Sequence, residues 1–416
     1  MTINIKSFYK FLFAIILLVQ LYVESYRIII FSQLLVLLLV LCIEKSVSYK
    51  MIKILIPLLI VVAIPVLPIF FNTYKLTQIF KDIFLIIKPV VGLSVGFVMF
   101  KRINNQTEFI KTVVIVGLIS AIIHFVVVIT TGGLSTGNVS QIREYGKDNF
   151  LELFALFFLA FYSKFFSDKL FQQKFVHRTV FLLLLLSCVL YLSRTMLIIS
   201  VILFLAISGY LKITKKAIKI FIGIAMSFVL LYIYLFNTKI DRNETGVMGF
   251  LYKVKMAPAE IFIAKIDRGD HRKLWDHWRG YEANRAIELM KENPSSFIIG
   301  NGYGSLINLK FKAPLASNDK GLRYISEIHN GYIFIFYKLG IIGLFLILLF
   351  IFNLYKKIYN TTTFYNVFIA AIAACYFFTT LTITGVFNKR DIIILLLGAL
   401  LYFSSQQTLK ENTNEN

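Results

Sequence analysis

Apolar runs near hydrocarbon length recur from one end of this 416-residue chain to the other. A run of about 20 apolar residues spans roughly 30 Å as a helix. Inside a bilayer every backbone donor and acceptor must be satisfied within the segment, so such runs become helices. Hydropathy places about twelve of them, near 8–23, 28–43, 54–70, 83–100, 112–130, 149–163, 179–192, 196–211, 220–236, 331–354, 363–386 and 391–405. Composition agrees: 58% of residues are hydrophobic and 16% charged, against roughly 45–50% and 25% in soluble domains. The expected fold is an all-α polytopic membrane protein. The run Phe11 to Val23 has no small-residue cleavage site after it and reads as a retained helix, not a signal peptide.

The formal net charge of +22 does not point to nucleic acid, because of where the cations lie. Alternate gaps between the helices hold 19 Lys and Arg in one set and 8 in the short gaps of the other. The positive-inside rule then puts both termini in the cytoplasm and the long segment 237–330 outside. Clusters such as Lys212 to Lys219 would face anionic lipid. Four regions follow: helices in 1–236, an external segment 237–330, helices in 331–405, and a polar tail 406–416. Cys42, Cys188 and Cys375 sit singly in apolar runs, with neither metal nor disulfide spacing.

Pro65 and Pro68 fall near the end of the third helix, and Pro89 is expected to break the fourth early. Lys88 and Lys338, inside helices, read as side chains that snorkel to the interface. The gap 131–148 is a surface loop carrying Arg143. Ser193-Arg194-Thr195 is a tight turn between two apolar runs. An arginine at that depth is costly and needs a polar partner; Glu144 and Glu152 are the candidates weighed for Arg143 and Arg194. In 237–330, residues 248–265 read as an amphipathic helix. Residues 279–292 fit a helix ended by Asn293-Pro294, 300–304 a glycine turn, and 311–327 a returning loop.

The polar chemistry concentrates between Trp278 and Gly343. Arg279, Glu282, Arg285 and Glu288 recur at three-residue steps, which on a helix is an ion-pair ladder. That bland reading suits Arg285 and Glu288 best. His329-Asn330 stands where the loop meets the tenth helix. A histidine there exchanges protons near neutral pH; the plain alternative is a side chain that only holds the helix start. No HExxH or comparable spacing occurs, so no metal is assigned, and Gly300 to Gly304 lacks the Lys-Ser/Thr of a phosphate loop.

Ile328-His329-Asn330-Gly331-Tyr332, followed by Lys338-Leu339-Gly340-Ile341-Ile342-Gly343-Leu344, resembles the signature of the O-antigen ligase/polymerase family. Arg279 to Glu282, Ile298 to Ser305 and Ser193-Arg194-Thr195 resemble its other motifs, so the likeness covers about 178–355. It implies a bacterial multi-pass protein of the cytoplasmic membrane with its active site facing the periplasm. The implied reaction takes glycan from an undecaprenyl-diphosphate carrier to a sugar hydroxyl, without metal, nucleotide or other cofactor. Under the resemblance His329 and Asn330 serve the acceptor hydroxyl, with Glu282 assisting or tuning an arginine. Arg194, Arg279 and Arg143 hold the donor diphosphate, and Trp275, Trp278 and Tyr281 offer stacking surfaces to the glycan. The acceptor is a glycan for a polymerase, the reading preferred here, or lipid A-core for a ligase; a protein O-oligosaccharyltransferase is a third member. Implied partners are membrane lipid and a chain-length regulator, but no nucleic acid. From another class, a polysaccharide flippase would also have about twelve helices, yet it should lack a long external segment and carry mid-membrane polar residues.

Overall fold

The computed structural model describes residues 5–45, 48–132, 150–191, 193–241, 246–262, 274, 277–315 and 321–414. The first half is helical: α1 (Ile5–Tyr22), α2 (Tyr26–Glu44), α3 (Tyr49–Ala63), α4 (Leu76–Ile103), α5 (Gln106–Thr130), α6 (Leu151–Ala160), α7 (Tyr162–Phe165), α8 (Lys174–Leu190), α9 (Arg194–Ile207) and α10 (Lys215–Asn237). Then come α11 (Gly246–Phe262), α12 (Trp278–Glu292), α13 (Ser296–Ile299), a hairpin of β1 (Ile307–Ala313) and β2 (Leu322–Ile325), α14 (Gly331–Tyr355), α15 (Phe364–Thr382) and α16 (Ile393–Asn414). Among the described residues eight helices are long and apolar enough to cross a membrane: α1 to α5, α10, α14 and α15, with α3 and α14 each extended by a short 3-10 turn. Helices α6 and α9, and the first part of α16, are shorter apolar helices. The chain is thus a multi-pass membrane protein.

Polar residues just ahead of the apolar runs start several helices. Asn105, Ser193, Thr214, Asn330 and Thr363 each accept a hydrogen bond from the backbone N–H three residues on, which satisfies one of the orphan donors of the first turn. The core lies along α4, α15 and α16. Gly96 and Gly398 let α4 and α16 touch: a Cβ on Gly96 would stand 2.1 Å from the Leu395 carbonyl oxygen. At the periphery α10 leaves Ile222, Met226, Val229, Leu230 and Ile233 exposed, a bare apolar face suited to lipid.

Three expectations need correcting. Pro89 does not break the fourth helix, since α4 runs through it; neighbours in a packed bundle tolerate the missing donor. The stretch 311–327 is not simply a loop, because β1 and β2 pair antiparallel with Ile307 opposite Ile325. Lys88 and Lys338 do not snorkel: both are fully buried. Lys88 donates to the Asn388 and Lys389 carbonyls at 2.6 and 2.7 Å. Lys338 meets Asp82 at 2.6 Å and the Ser305 carbonyl at 2.5 Å. The amphipathic segment and the helix after Arg279 are present as α11 and α12.

The loop contacts fall into two groups at opposite ends of the bundle. One end ties Gln20 to Asp391, Lys81 to Ser326, Arg194 to Glu260, and Gly331 to Ile383. The other ties Lys10 to Glu108, Lys50 to Ser405 and Tyr355 to Leu211. The first end carries the described parts of the segment 238–330 and the candidate site.

Candidate active site

The glycine turn builds the floor of the site. Gly340 takes φ 67° and ψ −168°, so α14 is unwound there. The carbonyls of Tyr337 and Lys338 lose helical partners and accept instead from Asn301 and Gly302, at 2.8 and 3.0 Å. Any Cβ would close this junction. One on Gly300 (φ 78°) would lie 2.2 Å from the Lys338 oxygen, and one on Gly340 would lie 2.1 Å from the Ile298 oxygen. Unwound backbone at membrane depth survives only where protein covers it. Here the cover is the glycine turn, with Gly304 N–H donating to Asp82 at 2.8 Å beside the Asp82–Lys338 pair.

On that floor α12 presents Glu282 to the start of α14. The Glu282 Oε2 accepts the backbone N–H of His329 at 2.9 Å and lies 2.9 Å from His329 Nδ1. Glu282 is buried, while the imidazole is about half exposed, at 52%. An ionised carboxylate only accepts, so Nδ1 carries a proton, and in the neutral ring Nε2 offers a lone pair to the cleft. The cap of α14 is Asn330, whose Oδ1 accepts from Ile333 N–H at 3.2 Å. The His329 ring is therefore not what holds the helix start.

The arginines gather on one carboxylate that the sequence did not single out. Glu260 of α11 accepts from Arg279 Nη1 at 2.7 Å and faces Arg194 at 3.4 Å. Arg194 also donates to the Lys253 carbonyl. Its partner is therefore Glu260 rather than Glu152, which receives Ser120, Ser187 and Tyr191 inside the bundle. Burial pushes the Arg279 guanidinium below the usual arginine range, and the adjacent Arg194 adds to this, while Glu260 and then Glu282 hold it up. A guanidinium stays charged under such a shift.

Trp278 and Tyr281 are buried, not open platforms. Their rings stack at 5.8 Å, Phe311 of β1 packs edgewise on both, and the Tyr281 hydroxyl donates to the Leu309 carbonyl. Arg285, also buried, donates to the Asn308 carbonyl and to Glu288. It fastens α12 to the hairpin, close to the ion-pair role foreseen for it. Arg143 and Trp275 lie outside the described residues.

A cleft of ≈ 510 Å³ opens at His329. Its polar wall holds Glu282, Lys81, Glu327, Asn388 and Lys389. Glu327 meets Lys389 at 3.0 Å and Lys81 at 3.7 Å. Glu327 stands two residues before His329, and Lys81 and Lys389 sit in short gaps of the same set. Those positions were visible in the sequence; the convergence was not. Among the described residues no His, Cys, Asp and Glu cluster suits a metal ion.

The described helices form a bundle with a histidine–carboxylate pair at one end, beside a cleft whose charged lining is two lysines and two glutamates. Residues 179–348 match the family model described as O-antigen ligase, so that stretch of the chain is similar to the O-antigen ligase/polymerase family. No curated protein and no solved structure matches the chain significantly.

Proposed function

We propose that the protein is a glycan polymerase acting at the outer face of a bacterial cytoplasmic membrane, taking glycan from an undecaprenyl-diphosphate carrier to a sugar hydroxyl. The observation that carries this reading is the exposed His329 imidazole held by buried Glu282 at the mouth of a polar cleft. The acceptor oxygen attacks the anomeric carbon of the donor, and its proton passes to His329 Nε2. The bond from that carbon to the phosphate oxygen breaks, and the diphosphate leaves with the electron pair. Glu282 keeps the ring in the productive tautomer and stabilises the imidazolium. Arg279 and Arg194 suit the leaving diphosphate, since the guanidinium fork binds phosphate oxygens in pairs and fixed cations stabilise charge that develops in the transition state. Both would trade part of Glu260 for phosphate. The glycan would rest in the cleft against Lys81, Glu327 and Lys389, because Trp278 and Tyr281 have their faces covered.

Deleting the gene and running surface glycan on a gel tests the reading. Loss of a polymerase leaves single-repeat glycan on its acceptor. A ligase would instead leave long glycan stranded on the carrier, and unchanged glycan would contradict both.

A further inference from the structure

The loop between α15 and α16 carries a guanidinium that this reaction scheme does not use. Arg390 makes no ion pair or side-chain hydrogen bond among the described residues, although it is only half exposed. Its backbone N–H is held by the Asn388 side chain at 3.2 Å. The loop itself is pinned from below. Lys88 grips the Asn388 and Lys389 carbonyls, and Gln20 donates to the Asp391 carbonyl at 3.1 Å. The Asp391 carboxylate is turned inward, accepting from Tyr376 Oη at 2.7 Å and Ile393 N–H at 3.1 Å, with the Lys88 ammonium offsetting its charge. Arg390 thus keeps its own charge unspent.

It lines a cavity of ≈ 130 Å³ with Leu21, Phe150, Tyr376, Thr379 and Asp391. That cavity shares Ile383 and Asn388 with the cleft that holds His329. Lys389 lines the larger chamber and Arg390 the smaller, and Asn388 lines both. Leu21 and Phe150 place the small chamber beside the ends of membrane helices, where a lipid-linked phosphate would enter. A ligand at Arg194 or Arg279 must compete with Glu260, whereas Arg390 has no carboxylate partner among the described residues.

We propose that Arg390 is an anion-binding residue of this second chamber and takes a phosphate group of the lipid-linked substrate whose sugar reaches His329. This rests on the transferase reading for its ligand, and its test reads binding instead of turnover. Undecaprenyl diphosphate binding would be measured on the full-length protein in phosphatidylcholine nanodiscs. Arg390→Ala and Arg390→Gln should weaken binding about tenfold or more, the effect of one lost charge-assisted hydrogen bond. Arg390→Lys should recover part of it, and removal of an exposed cation at the same end, Lys75→Ala, should change nothing. Arg390 has no side-chain partner among the described residues, so its variants should accumulate normally. Were the alanine variant to aggregate, the glutamine and lysine variants carry the test.

Inorganic pyrophosphate should compete in the wild type, and about tenfold more of it should be needed to displace the residual binding of Arg390→Ala, which Arg194 and Arg279 hold. Wild-type affinity in the well-folded glutamine variant would overturn the proposal. So would equal, Arg390-dependent displacement by phosphatidylglycerol, which would assign the site to bulk lipid. A wild type that binds through Arg390 yet transfers no glycan would sink the transferase reading and leave this site standing.

Discussion

Glu282 spends both of its bonds to one residue, the backbone and the ring of His329, and this fixes what substitution there must do. Glu282→Gln can still accept the ring N–H but offers no charge to an imidazolium. Losing one charge-assisted hydrogen bond of ~1.5–3 kcal/mol corresponds to about a ten- to hundredfold fall in turnover, with donor binding kept. Steady-state kinetics on the purified variant checks this, and an unchanged turnover would leave Glu282 a structural strut. Arg279 gives a second case. Arg279→Lys keeps the charge but loses the fork that reaches Glu260 and phosphate, so it should be nearly as inactive as Arg279→Ala at equal membrane levels. Full activity of the lysine variant would make Arg279 a point charge only.

At the scale of elements, the break in α14 is the joint on which the site is hung. The Asp82–Lys338 pair is wholly buried there. Removing one partner leaves a bare charge, at a cost of about 3–5 kcal/mol. Lys338→Met should therefore lower the thermal midpoint sharply, and the double variant Asp82→Asn with Lys338→Met should regain much of the loss. Equal stability of the single variant would show that the pair is not coupled. Gly340→Ala should fail to accumulate, since its added carbon meets the Ile298 carbonyl and its φ is positive. The sequence showed Gly340 and Gly343 as part of a family-like motif and 300–304 as a turn. It did not show that the turn supplies the N–H groups for the carbonyls which Gly340 sets free, because nothing in hydropathy pairs segments some 40 residues apart. The β-hairpin was missed for a related reason: Ile307–Ala313 alternates only loosely, and its partner has four residues.

For the whole molecule, the class of fold was legible from apolar run length alone, and the helix after Arg279 from its spacing and its Asn-Pro stop. What the runs concealed was buried charge. Asp82, Lys88, Glu152 and Lys338 all lie inside the bundle, turned away from its surface. Glu260, the carboxylate on which Arg194 and Arg279 meet, was invisible because the three stand far apart in the chain. The common end of the bundle that holds the loops of the site also sets a test of sidedness. A cysteine placed at exposed Ser295 should react with an impermeant thiol reagent on intact spheroplasts, and one at exposed Ser167 should not. The opposite pattern would put His329 in the cytoplasm, where the proposed chemistry has no donor.

The central claim is that the His329 ring performs chemistry and does not merely anchor α14, and one variant separates the two. Asparagine at 329 keeps a short polar side chain and the backbone N–H bonded to Glu282, while Asn330 continues to cap the helix. Glycan transfer by purified His329→Asn would be measured beside wild type, with protein level and donor binding recorded on the same samples. The account predicts intact accumulation, intact donor binding and a loss of turnover of about 10²–10⁴-fold, the share a general base contributes. Turnover near that of the wild type would contradict it.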